Sequence, residues 1–394
     1  MQLRRRLALI HSICEAGFFV RVKKLSVYQF RNHPWLQLHF QSRFVGFGGA
    51  NGAGKTNLLD ALYVLATGKS YFNVQDKQLI QYGADAYAVG GVLDIPEYEE
   101  TAVDIRCTFQ EGRKQLKWNQ KVYDRLIDHY GKIPVTLIAP QDGQLITGGS
   151  QERRRFVDGL ISQYDAQYLQ HLVRYNRALQ QRNALLKAER RLTPRETAEW
   201  LAPYDAQLAD HGRVLLEARH RFLDMFNEQF LDNYRALGAA HERVRMAYEA
   251  SVADPNLLEN RLEEGRTEDL RLRRTTVGPH RDDWSFLLQD HPVRKYGSQG
   301  QQKTFLWALK LARHRTLSQC SRTNQPILML DDFFDRLDSH RMSRLMEWLR
   351  HIEAGQIFFT DTDPERLAAL GISHGLDMET WVITHDDAQP LTSA

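Results

Sequence analysis

The sequence predicts an α/β protein in which a mixed sheet surrounds one glycine-rich loop, with an antiparallel β-subdomain beside it and an inserted helical lobe. Three observations predict it. Residues 44–65, FVGFGGANGAGKTNLLDALYVL, read as a short strand, a G-x-x-x-x-G-K-T loop and an apolar-periodic helix in succession. YAVGGVLDI, AVDIRCTF and QLKWNQKVY then follow as consecutive strand patterns, with turns at Glu111-Gly112 and Asn119-Gln120, which a purely parallel core would not contain. From 151 to 235 the pattern is almost entirely helical, before apolar strands return in PILMLDD and QIFFT.

The loop is the best-defined element. Gly49, Gly52 and Gly54 let the backbone wrap closely around a polyphosphate, and Asn51 lies among them. Successive N–H groups and the positive end of the following helix face the anion. Lys55 reaches the β- and γ-phosphates, Thr56 offers a hydroxyl to Mg²⁺, and Asn57 follows in the first turn. Leu58, Leu59, Leu62 and Leu65 seat the helix. A chance GKT in a surface turn would lack both flanks.

The totals narrow the class. A chain of 394 residues with 42% hydrophobic and 26% charged residues supports a sizeable core and two lobes. The net charge of +3 and pI near 8.6 permit a nucleic-acid partner without requiring one. Cys14, Cys107 and Cys320 contain no C-x-x-C pair, which argues against a zinc site or disulfide scaffold and fits a reducing compartment. No apolar run is long enough to span a bilayer. Residues 1–18 have a basic start and an apolar patch broken by His11, Ser12 and Glu15, and read as a dispensable extension.

Four segments follow: 1–18; 19–150, the first part of an ATPase head; 151–274, a helical lobe; and 275–394, the second part of the head. In the first part, Arg31 and Asn32 separate two strands, near where a base would sit. IPVTLIAP is a buried strand with Gln141-Asp142 at its carboxyl end, where such folds place ligand contacts. In the helical lobe, Pro194 and Pro203 are the expected breaks, and Leu169, Leu172, Val173, Leu179, Leu185 and Leu186 the expected apolar face. Its polar face carries Arg153, Arg154, Arg155, Arg174, Arg177 and Arg182, either a solvated surface or a DNA contact. HERVRMAYEA reads as a strand, and TTVGPHRDDW as a polar knot before the strand WSFLL.

Two further motifs complete the chemistry. Asp331 and Asp332 end an apolar strand. Asp331 can hold Mg²⁺ opposite Thr56, and Asp332 can orient or deprotonate an attacking water. Ser298-Gln299-Gly300-Gln301-Gln302 opens an amphipathic helix and offers a second anion-binding surface. A polar N-cap with Gln301 three residues on accounts for the same residues. If the two loops lie on separate edges, head-to-tail chains would let each Ser298 complete the other's site.

GANGAGKTN, SQGQQ, LMLDDFFDRLD and VGPHRDD, with FRNH, RRRFVDG and QRNALLK, resemble the bacterial RecF recombination-mediator family of ABC/SMC-type ATPases, from about Phe19 to Val382. The resemblance implies an ABC-type P-loop ATPase head. Gly49, Asn51, Gly52, Gly54, Lys55 and Thr56 match the Walker A loop, Asp331 and Asp332 Walker B, Ser298 through Gln302 the signature, and Asp335 to Asp338 the D-loop. Gln141 or Asp142 falls at the Q-loop. It implies ATP and Mg²⁺ as cofactors, and an ATP-dependent homodimer that clamps double-stranded DNA and single-strand/double-strand junctions. RecR and RecO are implied partners, RecA an indirect one, and the compartment is the cytoplasm, with no membrane. Candidate DNA contacts are Lys23, Lys24, Arg153, Arg154 and Arg155. The sequence departs from the wider class in two places. Asp332 stands where glutamate is usual, so turnover should be slow, and the strand end Thr360-Asp361-Thr362 lacks the switch histidine. A transporter ATPase subunit, an SMC-like bridging protein and a small-molecule kinase are the rival readings. The missing histidine and long helical insertion disfavour the first, the missing heptad arms the second, and the signature motif the third.

Overall fold

The structure is a computed structural model that describes residues 19–95, 102–188, 194–238, 241–321, 325–332, 339–352, 354–385 and 387–391. The extension 1–18 and the D-loop match Asp335–Asp338 lie outside these residues. The chain forms two compact units, 1–142 with 236–238 and 310–394, and 143–235 with 239–309. The sequence places boundaries at 150 and 274, whereas the units divide at 142 and 309, and the helix Gln299–Cys320 runs through the second of these positions.

Strands in chain order are β1 (Arg21–Phe30), β2 (His33–His39), β3 (Phe44–Gly48), β4 (Ala86–Asp94), β5 (Val103–Gln110), β6 (Arg113–Trp118), β7 (Lys121–Val122) and β8 (Val135–Ile138) in the first unit. The second unit holds β9 (Val244–Glu249), β10 (Asp283–Leu288) and β11 (His291–Pro292); β12 (Ile327–Leu330), β13 (Ile357–Asp361), β14 (Met378–Ile383) and β15 (Ala388–Pro390) return to the first.

In the first unit, one sheet is antiparallel in the order β2-β1-β4-β5-β6-β7, the expected β-subdomain. Both expected hairpin turns have positive φ at both residues, as tight two-residue loops require: 52° and 74° at Glu111-Gly112, 47° and 66° at Asn119-Gln120. The other sheet runs β15-β14-β3-β13-β12-β8, parallel except for β15. Its central strands are buried on both faces, so they read as continuous apolar runs. Phe40, which follows β2, meets Phe358 of β13 edge-on at 5.4 Å, and one apolar core serves both sheets.

The second unit packs β11-β10-β9 against helices, including one of 43 residues, Pro194–Ala236. Phe222, Phe226, Phe230 and Tyr234 recur at four-residue spacing along it, all at most 1% exposed. Phe230 meets Phe305 at 4.8 Å. Two sequence expectations are corrected here. Pro203 does not break the helix, because Leu201, Asp205 and Leu208 are anchored in the core on either side of it. The buried stripe of the helix Ala166–Lys187 is Tyr168, Tyr175, Ala178, Arg182 and Leu186, whereas Val173 is 49% exposed. Arg182, counted on the polar face, is fully buried between Asp205 and Asp269, each at 2.6 Å.

The polar knot is a buried hub of this unit. Arg219 donates to Asp282 and Asp158, each at 2.8 Å, and to the Pro279 carbonyl. Asp282 also accepts from the Ser251 amide at 2.7 Å and from the Tyr248 hydroxyl. His280 Nε2 meets the Thr275 carbonyl at 3.1 Å and Nδ1 meets the Tyr175 hydroxyl at 2.7 Å, contacts that a neutral ring satisfies with Nε2 donating and Nδ1 accepting. Burial pushes its pKa down to about 4, as it does for His129 in the first unit.

Because the unfolded state takes up these protons at the ordinary value of 6.5, stability is lost as pH falls from there toward 4, by about 1.4 kcal/mol per histidine per pH unit. Urea unfolding should show this loss between near-neutral and mildly acidic pH, and a double H129Q/H280Q variant should flatten it. A profile unchanged by both substitutions contradicts the neutral-histidine assignment.

Candidate active site

The glycine loop leaves β3 and enters the helix Lys55–Thr67. Two glycines are dictated by space as well as by φ. At Gly49 (φ 149°) a Cβ would lie 2.3 Å from the Ile383 carbonyl oxygen, and at Gly54 (φ 101°) 2.3 Å from His33 Nε2. The helix starts with no side-chain cap, so its first N–H groups remain available to an anion. Lys55, 5% exposed, donates to the Gly49 and Ala50 carbonyls at 2.7 and 2.9 Å, which holds its ammonium over the loop. Burial lowers its pKa, opposed by Asp332, Asp331 and Asp361.

Sheet order brings the carboxylates to this loop. β13 lies between β3 and β12, so Thr360 at its end falls between the loop and Asp331. Asp331, 4% exposed, accepts from Thr56 Oγ1 and from Thr360 Oγ1, each at 2.8 Å. Thr360 Oγ1 in turn accepts from the Asp332 amide at 2.8 Å. Burial raises the Asp331 pKa while both hydroxyls lower it. Asp332 adopts φ 46°, an uncommon left-handed conformation that turns the chain immediately after the strand. A hydroxyl and a carboxylate in contact are the hard oxygen donors that suit Mg²⁺, which takes its other ligands from water and phosphate oxygens. Among the described residues no group of three or more His, Cys, Asp or Glu could hold a metal on its own.

On the other side of the loop, Asn32 donates to the Gly52 carbonyl at 3.3 Å and accepts from Asn57 at 2.7 Å, and His33 Nε2 meets the Gly54 carbonyl at 3.1 Å. Arg31 (φ 57°) pairs with buried Asp60 at 3.2 Å. Arg31, Asn32, Asn57, Tyr82 and His385 line a cleft of about 600 Å³. Gln141 is exposed after β8, whereas Asp142 is buried and accepts from the Ala139 amide at 2.7 Å.

In the second unit, Ser298 is exposed, and Gly300 and Gln301 are half-buried at the same helix start. Ser298 and Gln301 form the reciprocal N-cap bonds, 2.8 and 3.2 Å, and Gln301 also donates to Glu242 at 2.8 Å. Of the candidate DNA contacts, Arg153 makes a two-point ion pair with Asp283 (2.8 and 2.9 Å), and Arg154 donates to the Asp282 carbonyl at 2.6 Å. Arg155 pairs with Glu152 at the surface, Lys23 pairs with Asp94, and Lys24 is half-buried. Thr360 and His33 were not singled out as site residues from the sequence. Thr360 was legible there only as the position where a histidine was missing.

Together these features define a P-loop ATPase head of the ABC/SMC type. The family described as RecF/RecN/SMC N terminal domain matches residues 21–379. The DNA replication and repair protein RecF of Flavobacterium johnsoniae is 40% identical over 89% of this chain and 96% of its own. That of Bacteroides fragilis is 39% identical over 91% and 95%. A solved structure of the recombination mediator protein RecF with ATP, in the RecFOR pathway, superposes with a TM-score of 0.82 at 27% identity, covering 95% of this chain and 99% of that one. The Smc head of Pyrococcus furiosus, at 15% identity and a TM-score of 0.55, shares the fold. The chain belongs to the RecF family.

Lys55→Ala should weaken ATP binding by on the order of 3 kcal/mol, read by titration with a fluorescent nucleotide; affinity within a few-fold of wild type would contradict the placement of Lys55. Thr360→Val removes the hydroxyl that Asp331 and Asp332 share. Its turnover should fall more than its nucleotide affinity, and equal losses would reduce Thr360 to a structural contact.

Proposed function

We propose that this chain is an ATP-gated DNA clamp of the RecF type. ATP binds the glycine loop through Lys55 and the loop amides, with Arg31 and Asn32 beside the base. Mg²⁺ is held by Thr56 and Asp331 and supplies charge neutralisation at the β- and γ-phosphates. The observation that carries the reading is the convergence of Thr56 and Thr360 on buried Asp331 beside Lys55. Asp332, positioned by its left-handed turn and Gln141 at the neighbouring strand end, orients the attacking water.

Ser298 supports a second half-site. It is exposed at an N-terminus of a 22-residue helix, with its own amide already satisfied by Gln301. In a head-to-tail homodimer each Ser298 completes the partner's nucleotide site. ATP then binds most tightly to the closed dimer and shifts the population toward it, and slow hydrolysis resets it. The closed dimer holds double-stranded DNA at gaps and junctions and, with RecO and RecR, promotes RecA loading. Relatives described as recombination mediators in the RecFOR pathway support this assignment. DNA contact is mainly with phosphates, so it is salt-sensitive. Lys23, Lys24 and Arg155 are the proposed contacts among the candidates, since Arg153 and Arg154 spend their guanidinium groups inside their own unit.

Ser298→Arg should keep ATP binding but lose dimerisation and turnover. Mixed with Lys55→Ala, which retains its own Ser298, it should recover part of the activity, because one composite site is then intact. Wild-type turnover by Ser298→Arg alone would exclude the shared site. Asp332→Asn should accumulate the ATP-bound dimer, and rapid turnover by that variant would remove Asp332 from the water-positioning role.

A further inference from the structure

Asp142 is the last residue of the first unit before the chain enters the second, and Lys310 is the first residue after its final return. The two form an ion pair at 2.9 Å, 9% and 3% exposed. Lys310 Nζ also donates to the Tyr71 hydroxyl at 2.5 Å and the Leu137 carbonyl at 3.3 Å, and lies 5.2 Å from the Tyr71 ring centre. The Tyr71 hydroxyl donates to Asp142. Burial raises the Tyr71 pKa and lowers that of Lys310, which Asp142 opposes. A buried charge pair must recover a large desolvation cost, and apolar replacements of such pairs are often neutral or stabilising, so its presence asks for a use beyond filling the core.

Its placement supplies a use. Tyr71 is fixed at its other end by Asp60, which accepts from the Tyr71 amide and Ser70 hydroxyl, each at 2.8 Å, and from Arg31 at 3.2 Å. Asp60 sits one turn beyond Thr56 on the phosphate-loop helix and is fully buried. An unbroken chain of polar contacts therefore runs from Arg31 at the base cleft, through Asp60 and Tyr71, to Asp142 and Lys310. Asp142 adjoins Gln141. Lys310 stands three turns along the helix that Ser298 caps, roughly 17 Å from its first residue by helical rise.

We propose that Tyr71, Asp142 and Lys310 are positioning residues that couple the nucleotide-bearing loop to Gln141 and to the helix carrying Ser298. The inference rests on the shared-site reading above and adds the route by which occupancy of one half-site sets the other. None of the three lines the cleft beside the phosphate loop; each acts through the residue it orients. The coupling element is the Lys310–Asp142 contact, which the phosphate-loop helix reaches through Asp60 and Tyr71 and which the Ser298 helix carries in Lys310 itself.

Two variants of the full chain test it. Tyr71→Phe deletes only the hydroxyl, and the double variant Asp142→Asn/Lys310→Met removes both charges of the pair together. Thermal unfolding establishes that each folds. Nucleotide affinity of the dilute protomer, ATP-dependent dimerisation and kcat are then compared with wild type and with Ser298→Arg. The account expects nucleotide affinity within about twofold, while dimerisation and kcat fall about tenfold. Unchanged dimerisation and kcat in a folded double variant overturn the coupling, as does a loss of nucleotide affinity that matches the loss of kcat, which is what a merely structural pair would give. Dimerisation of the Ser298→Arg control sinks the shared-site reading itself. A control that fails to dimerise beside unaffected triad variants sinks the coupling alone.

Discussion

The buried carboxylate of Asp331 constrains the rest of the site. A carboxylate that is 4% exposed is tolerable only if donors surround it, and here the donors come from two other strands: Thr56 after β3 and Thr360 at the end of β13. That requirement fixes which strand ends must meet. β13 has to separate β3 from β12, and the register Asp361↔Gly48 brings the end of β13 level with the start of the glycine loop. The Gly49 amide, which donates to the Asp361 carbonyl at 3.2 Å, ties the loop to the same strand end. The site is therefore held by backbone order, and the side chains need little freedom to reach their partners.

The second unit solves a different problem. It carries Ser298 at a helix start, and Phe305 of that helix packs against Phe230 and Phe286. Arg182 and Arg219 organise the rest of the unit's interior, each pairing with two carboxylates. The segment 275–283 is threaded between them, with Thr275 on Arg182 and Asp282 on Arg219. VGPHRDD is thus a folding element of this unit, and its unusual polarity reflects buried hydrogen bonding.

The glycine loop, the strand bearing Asp331 and Asp332, and the antiparallel subdomain were legible because each rests on local pattern: glycine spacing, an apolar run ending in carboxylates, turn residues at Glu111-Gly112 and Asn119-Gln120. What was not legible depends on partners distant in sequence. Pro203 read as a break because propensity knows nothing of Leu201, Asp205 and Leu208 holding the helix around it. Of the apolar residues 169–186 that read as the core face only Leu186 is buried, and tyrosine and arginine occupy most of the rest of the stripe, since Tyr168 and Arg182 find carboxylates on other elements. Arg153 and Arg154 looked like surface charge for the same reason. Thr360 and Lys310 gain their meaning only from sheet order and from the place where the chain passes between units.

The central claim is that nucleotide closes two copies of this chain around DNA. Sedimentation of the purified protein, with and without ATP-Mg²⁺ and with and without duplex DNA, tests it most directly. The account predicts a monomer that becomes a dimer only with ATP-Mg²⁺, and a dimer that retains duplex. A monomer under every condition would contradict it.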